Sequence, residues 1–344
     1  MPVTENTLFR GDQERTGNLE GTGPQGPVQI AWSVQLSEPS FASPILASGM
    51  LFVGGDDEIL HALDATTGET VWEYRASDEI SSSPAIQEGV AYFGSFDGVF
   101  HAVDAATGVE IWAVETGSSI HASPVVADGL VYFGNYGGTL YALDIADGTI
   151  VWQIDGGIQI SSSPAIGDGI LIFSNTDGLV SAVSAIDGTV IWQYNAQGSI
   201  FATAAISGST VIIGDFIGAV NAFSLYDGVL LWQSYAAAVI YPSAAISNGS
   251  VFIGSDDGNI YSFDLETGAE NWRLPTGGEV RTSPVVAGDL LVVGSYDGTV
   301  YGLDRTTGEV RWSQDVGASA TTLIAGDAVY AVTVDGLIVA IRDE

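Results

Sequence analysis

Residues 62–72 read Ala62-Leu63-Asp64-Ala65-Thr66-Thr67-Gly68-Glu69-Thr70-Val71-Trp72, and residues 102–112 repeat the same Ala, Asp, Thr, Gly and Trp at the same offsets. The spacing runs through the whole chain: all eight tryptophans, Trp32, Trp72, Trp112, Trp152, Trp192, Trp232, Trp272 and Trp312, stand 40 residues apart. A unit of that size cannot bury its own apolar faces and must stack on copies of itself, and roughly 40 residues suits one four-stranded blade of a β-propeller.

Within one repeat, residues 80–85, 90–94, 99–104 and 109–114 are four short β-rich segments separated by turn signals. Asp97-Gly98 between the second and third favours a tight hairpin, because glycine accepts positive φ without steric cost, and the same pair returns at Asp257-Gly258 and Asp297-Gly298. The chain opens with an outer segment, Pro27 to Trp32, and closes with a third segment, Leu337 to Ile341, that has no outer partner. The leftover pieces complement each other. The expected fold is therefore all-β: an eight-bladed propeller of four-stranded antiparallel blades, its ring closed by an N-terminal outer strand completing the last blade. Closure removes the open edges that sheets must otherwise hide. One domain spans 1–344, with an N-terminal arm at 1–27, the closing strand at 28–36 and the remaining strands at 37–344. The spacing shortens once, where Ala325-Gly326-Asp327 follows Ala287-Gly288-Asp289 by 38 residues.

The net charge of −34 arises from scarcity of bases: 42 acidic residues face eight arginines, and there is no lysine. Nucleic acid and anionic lipid surfaces, which need clustered Lys and Arg, are poor partners. High-salt adaptation and simple base depletion both fit this acidity. Self-repulsion among the acids predicts that stability rises with added salt, because screening relieves it. Urea unfolding at low and high sodium chloride tests this, and an unmoved or lower midpoint in salt counts against it. With no cysteine, disulfides, thiolate nucleophiles and thiolate metal sites are excluded together. Without lysine there is no Schiff-base chemistry and no P-loop. No apolar run approaches the ~20 residues of a membrane span, and the opening Met-Pro-Val-Thr-Glu-Asn does not read as a signal peptide.

The repeats resemble eight-bladed propellers of the pyrroloquinoline-quinone (PQQ) type, whose tryptophan-docking motif is Ala-x-Asp-x-x-Thr-Gly-x-x-x-Trp. Ala62, Asp64, Thr67, Gly68 and Trp72 match it, as do Ala102, Asp104, Thr107, Gly108 and Trp112. The opening Phe9-Arg10-Gly11-Asp12 and Arg15-Thr16-Gly17 is similar to the N-terminal arm of such proteins. The family includes quinone enzymes and non-enzymatic scaffolds, so the resemblance specifies a fold more than an activity. Its dehydrogenases are longer, stack a tryptophan outside the ladder beneath the quinone, hold calcium with Glu, Asn and Asp, and commonly carry adjacent cysteines. This chain has neither spare tryptophan nor cysteine, so neither enzyme activity nor a PQQ or calcium cofactor is expected. The resemblance is greater to scaffolds of outer-membrane barrel assembly, which implies an extracytoplasmic location and a protein or peptide partner at the funnel mouth or blade edges. A quinone or other small-molecule binding propeller and a structural cell-surface module remain as alternatives.

The ladder tryptophans are expected to dock blades, each indole burying apolar area while its N–H meets a backbone carbonyl. His61 and His101 share a third-strand column with Tyr141 and Tyr261 and read as packed residues. The acidic turns Asp56-Asp57 and Asp256-Asp257-Gly258 suit loose calcium binding or plain turn chemistry equally. The repeats stop agreeing near the start of the first segment. Column 41 holds Phe41, Ser81, His121, Ser161, Phe201, Tyr241 and Arg281, and column 39 varies too. Strand alternation places both on one side, which in the family lines the central funnel. Candidate contact residues are Phe41, His121, Phe201, Tyr241 and Arg281, with Asp78, Glu79 and Glu279 as an acidic rim. Drift on an exposed loop explains the same variation.

Overall fold

The computed structural model describes residues 7–344, so residues 1–6, and with them part of the arm and the reading for a signal peptide, lie outside the described residues. Among the described residues, thirty-two strands form eight four-stranded antiparallel sheets. Seven blades are continuous in sequence, at 45–75, 85–115, 125–155, 165–195, 205–235, 245–275 and 285–315. The eighth is composite: Val28–Gln35 lies against Leu337–Asp343, from Val28 opposite Asp343 to Gln35 opposite Leu337, and completes the sheet begun by Ala320–Ala325 and Ala328–Thr333. The ring therefore closes through the N-terminal strand, as the complementary chain ends predict.

Apolar side chains fill the spaces between neighbouring blades, as where Phe100 and Phe133 stack at 3.9 Å and 2°. The tryptophans tie these layers together. Trp72, Trp112, Trp152, Trp192, Trp232 and Trp272 each donate their indole N–H to a carbonyl 33 residues on, in the next repeat, at 2.8–3.2 Å. Trp32 does the same to Ala65, joining blade 8 to blade 1. Trp312 of blade 7 faces the composite eighth blade and donates to Pro24, just ahead of the closing strand, at 2.8 Å. The other seven indoles each lie under the glycine of the next docking motif. At Gly68, φ is +77° and a Cβ would come within 2.7 Å of the Trp32 ring, so backbone conformation and close approach both demand glycine.

The innermost strands are shorter than the sequence pattern suggests. In blade 2 the expected segment 80–85 becomes strand only at Ala85–Gln87. Ser82 before it still bonds Gly94 within the blade, whereas the next column pairs around the ring. The N–H of Ser43 donates to Ser83 Oγ, Ser83 to Ser123, Ser123 to Ser163, Ser163 to Thr203, Thr203 to Ser243 and Ser243 to Ser283, all at 2.8–3.1 Å. Prolines at 44, 84, 124 and 164 have no N–H to give a ladder, which favours this arrangement. At blade 8, whose repeat is two residues short, Thr321 Oγ1 donates to the Ala42 carbonyl and links the last blade to the first.

The arm closes one end of the central channel. Carbonyls of Thr7, Gln13, Glu14, Thr16 and Gly17 accept the N–H groups of Ile86, Ile166, Ile206, Ile246 and Val286, the same inner-strand position in five blades. Arg10 and Arg15 are buried there. Arg15 donates to the carbonyls of Phe9, Ser123, Pro124 and Pro164, and Arg10 to those of Arg15 and Ala244.

Candidate functional site

The plugged channel leaves a blind cavity of about 210 Å³, lined at its mouth by column 41, deeper by the hydroxyl ring of column 43, and on the arm side by Phe9. Phe41, His121, Phe201, Tyr241 and Arg281 all line it. Columns 39 and 41 lie on the segment leading into each blade, outside the strands, so they are not related by strand alternation. Column 39 instead lends its carbonyl to a turn: Pro39, Glu79, Ser119, Gln159, Ser199, Val239 and Glu279 accept the N–H of Asp56, Phe96, Tyr136, Thr176, Phe216, Asp256 and Tyr296. The acidic rim divides accordingly. Glu279 pairs with Arg281 at 2.9 Å, the Glu79 carboxylate acts on Asp56, and Asp78 is exposed, outside the cavity lining.

Column 56 is the part that turn chemistry conceals. Its residues interleave with column 41 to build an aromatic arc. Phe216 lies 4.7 Å from Phe201 and 4.5 Å from Tyr241. Phe96 and Tyr136 meet edge-on at 5.6 Å, with His121 at 6.0 Å from each. Arg281 lies 4.7 Å over the Tyr241 ring and 5.4 Å over Tyr296, and its Nε and Nη2 each donate to Asp256 at 2.9 Å. Column 56 varies between repeats as column 41 does, and that signal was available in the sequence.

The titratable groups are set by burial. Burial lowers the His121 pKa against a hydrogen bond to the Ser161 backbone, so the ring is neutral near pH 7. Its Nδ1 and the buried Ser161 Oγ have no hydrogen-bond partner. The Asp56 carboxyl is pushed up to about 6, chiefly by burial and then by Glu79, Asp57 and Glu38. His61 and His101 are buried as expected, His61 against Asp57 and His101 against Tyr74. The acidic turns have local partners: Asp256 takes Arg281, while Asp257 accepts from Tyr261, Asn259 and the Ala237 N–H. Among the described residues, no group of three or more His, Asp or Glu is arranged to hold a metal ion. Aromatic faces, a ring of hydroxyls and one arginine already paired line the cavity and suit it to recognition.

The comparisons with known proteins agree with this architecture. The crystal structure of BamB from Moraxella catarrhalis is 22% identical and matches with a TM-score of 0.79 over 92% of this chain and 99% of that one. The computationally designed Ika8 protein matches at 0.82 with 20% identity, over 92% and 99%. The quinohemoprotein alcohol dehydrogenase from Comamonas testosteroni matches at 0.85 with 14% identity, over 98% and 80%. At these identities the likeness is one of fold, shared by an assembly factor, a designed protein and an enzyme. No curated protein matches in sequence. Residues 217–344 match the family described as outer membrane protein assembly factor BamB. More than half of the chain, residues 47–250, matches the family described as beta-alanine-activating enzyme, beta-propeller, and the chain belongs to that β-propeller family.

Proposed function

We propose that this propeller is a non-catalytic binding scaffold that holds a protein or peptide segment at the mouth of its central funnel, outside the cytoplasm. The carrying observation is the convergence of the two variable columns on one blind cavity while the rest of the repeat stays in register. Phe41, Phe201 and Tyr296 are 54%, 38% and 44% exposed there. Exposed aromatics around a recess are the anchors on which peptide recognition commonly rests. The match of residues 217–344 to an outer membrane assembly factor supports both the scaffold reading and the extracytoplasmic location.

The residues do not fit a quinone. PQQ is a tricarboxylate, and Arg281, the one arginine lining the cavity among the described residues, is already held by Asp256 and Glu279. The cavity's 210 Å³ is also below the ~300 Å³ at which small-molecule sites begin. Calorimetric titration with PQQ and calcium at high micromolar concentration is therefore expected to show no saturable heat. A peptide-display library panned on the immobilised protein should enrich sequences whose binding is lost in the Phe201→Ser/Tyr241→Ser double variant at an unchanged melting temperature. Saturable quinone binding, or peptides indifferent to the double variant, would overturn the reading.

A further inference from the structure

Arg281 sits in a complete cage. Asp256 accepts from its Nε and Nη2, Glu279 Oε2 lies 2.9 Å from Nη2, and the rings of Tyr241 and Tyr296 cover the guanidinium. Five 40-residue repeats earlier stand the counterparts of all four walls: Asp56 for Asp256, Glu79 for Glu279, Phe41 for Tyr241 and Phe96 for Tyr296. The counterpart of the arginine is Ser81. The supporting backbone repeats too. Asp56 N–H donates to Pro39 at 2.9 Å as Asp256 does to Val239 at 3.0 Å, and Phe96 N–H donates to Glu79 at 2.9 Å as Tyr296 does to Glu279 at 2.8 Å.

The first set therefore has the walls of a guanidinium cage and no guanidinium. We propose that Asp56, Glu79, Phe41 and Phe96 form a receptor for an arginine side chain supplied by a partner segment. The proposal rests on the scaffold reading of the same funnel mouth and gives its partner a chemistry. Three further observations favour it. Asp56 Oδ1 is buried without a hydrogen-bond partner, whereas both Asp256 oxygens are bonded. Burial and the neighbouring carboxylates of Glu79, Asp57 and Glu38 raise the Asp56 pKa, a repulsion that an incoming cation relieves. Among the described residues no neighbouring cation is available for this: Arg75 pairs with Glu58, and His61 is held by Asp57 and Glu73. Arginine is favoured over lysine because the twin cage uses a planar fork on one carboxylate and stacks its plane on rings, which a point-charge ammonium does not reproduce.

Ser81→Arg fills the receptor from within and supplies the test. The variant is expected to melt above the wild type, and its Asp56 carboxyl, followed by ¹³C NMR, to titrate back toward the ordinary range. N-acetyl-argininamide should bind the wild-type protein saturably and about tenfold more tightly than N-acetyl-lysinamide, the factor that one extra charge-assisted hydrogen bond gives. That binding should vanish in Ser81→Arg and in Asp56→Asn, the latter serving where the former does not fold. Absence of arginine-probe binding, or binding that survives Asp56→Asn, overturns the proposal. The two readings fail separately. If display peptides bind the mouth but the probe does not, the receptor falls and the scaffold stands; if the probe binds as described but no peptide is enriched, the reverse holds.

Discussion

Replacing Trp192 with alanine is expected to lower unfolding free energy by about 3–5 kcal/mol, the usual cost of deleting a large buried aromatic. The indole is only 8% exposed, packs among the apolar side chains between blades 4 and 5, and donates to the Leu225 carbonyl at 2.8 Å. Removing it opens a cavity between two sheets that no neighbour can collapse into, because Gly228 holds the opposite wall. The Gly228 φ is +68°, and a Cβ there would stand 2.6 Å from the Trp192 ring, so the glycine and the indole define each other. The Leu225 carbonyl also loses its donor. Urea unfolding at neutral pH measures the effect. A midpoint within experimental error of wild type would mean that the ladder serves something other than blade docking.

The same docking explains how much of this molecule was legible as sequence. A tryptophan every 40 residues is a structural constraint stated once per blade, because each blade must present the same indole to its neighbour. The strand complement of the chain ends was legible for a similar reason: an unpaired third strand at one end and an orphan outer strand at the other must meet. The site was legible only in part. Column 41 stood out because its residues differ between repeats where packing would keep them alike. Column 56 is just as varied, but it occupies a hairpin turn in which Asp, Ser and Gly have an ordinary local explanation, so Asp56 and Asp256 read as turn formers. Only the hydrogen bonds from that turn to column 39 show that it faces the axis. The twin cages needed a comparison between repeats across several columns at once, since Asp56, Glu79 and Phe96 belong to different segments that meet only in the folded ring. The arm was the least legible. Eight scattered arginines give no hint that two of them lie buried in the channel.

Those two arginines set the second large expectation: Arg15→Ala should cost at least about 3 kcal/mol, the penalty of leaving several buried carbonyls without donors. Arg15 is 0% exposed. Its Nε donates to Pro164 at 3.0 Å, Nη1 to Phe9 at 2.5 Å, and Nη2 to Pro124 at 2.7 Å and Ser123 at 3.3 Å. One guanidinium thus joins the arm to blades 3 and 4 and satisfies carbonyls buried beneath the arm. Burial pulls its pKa down to about 9, with Asp12 opposing and Arg10 adding to the effect. Charged at neutral pH, it is offset mainly by oriented carbonyl dipoles. Lysine should not rescue the loss. Its single ammonium cannot reach acceptors spread around a planar fork, and it is more strongly hydrated, so its burial costs more. The damage should also reach the funnel, because Arg15 lies 5.5 Å over the ring of Phe9, which lines the cavity above it. Thermal unfolding with limited proteolysis of residues 7–24 tests this, and both should respond. An arm that stays protease-resistant in Arg15→Ala, with a melting temperature close to wild type, would mean that the backbone bonds to Ile86, Ile166, Ile206, Ile246 and Val286 suffice to seat it. The ring would then be stable without its charged plug, and the floor of the binding cavity would depend on Phe9 alone.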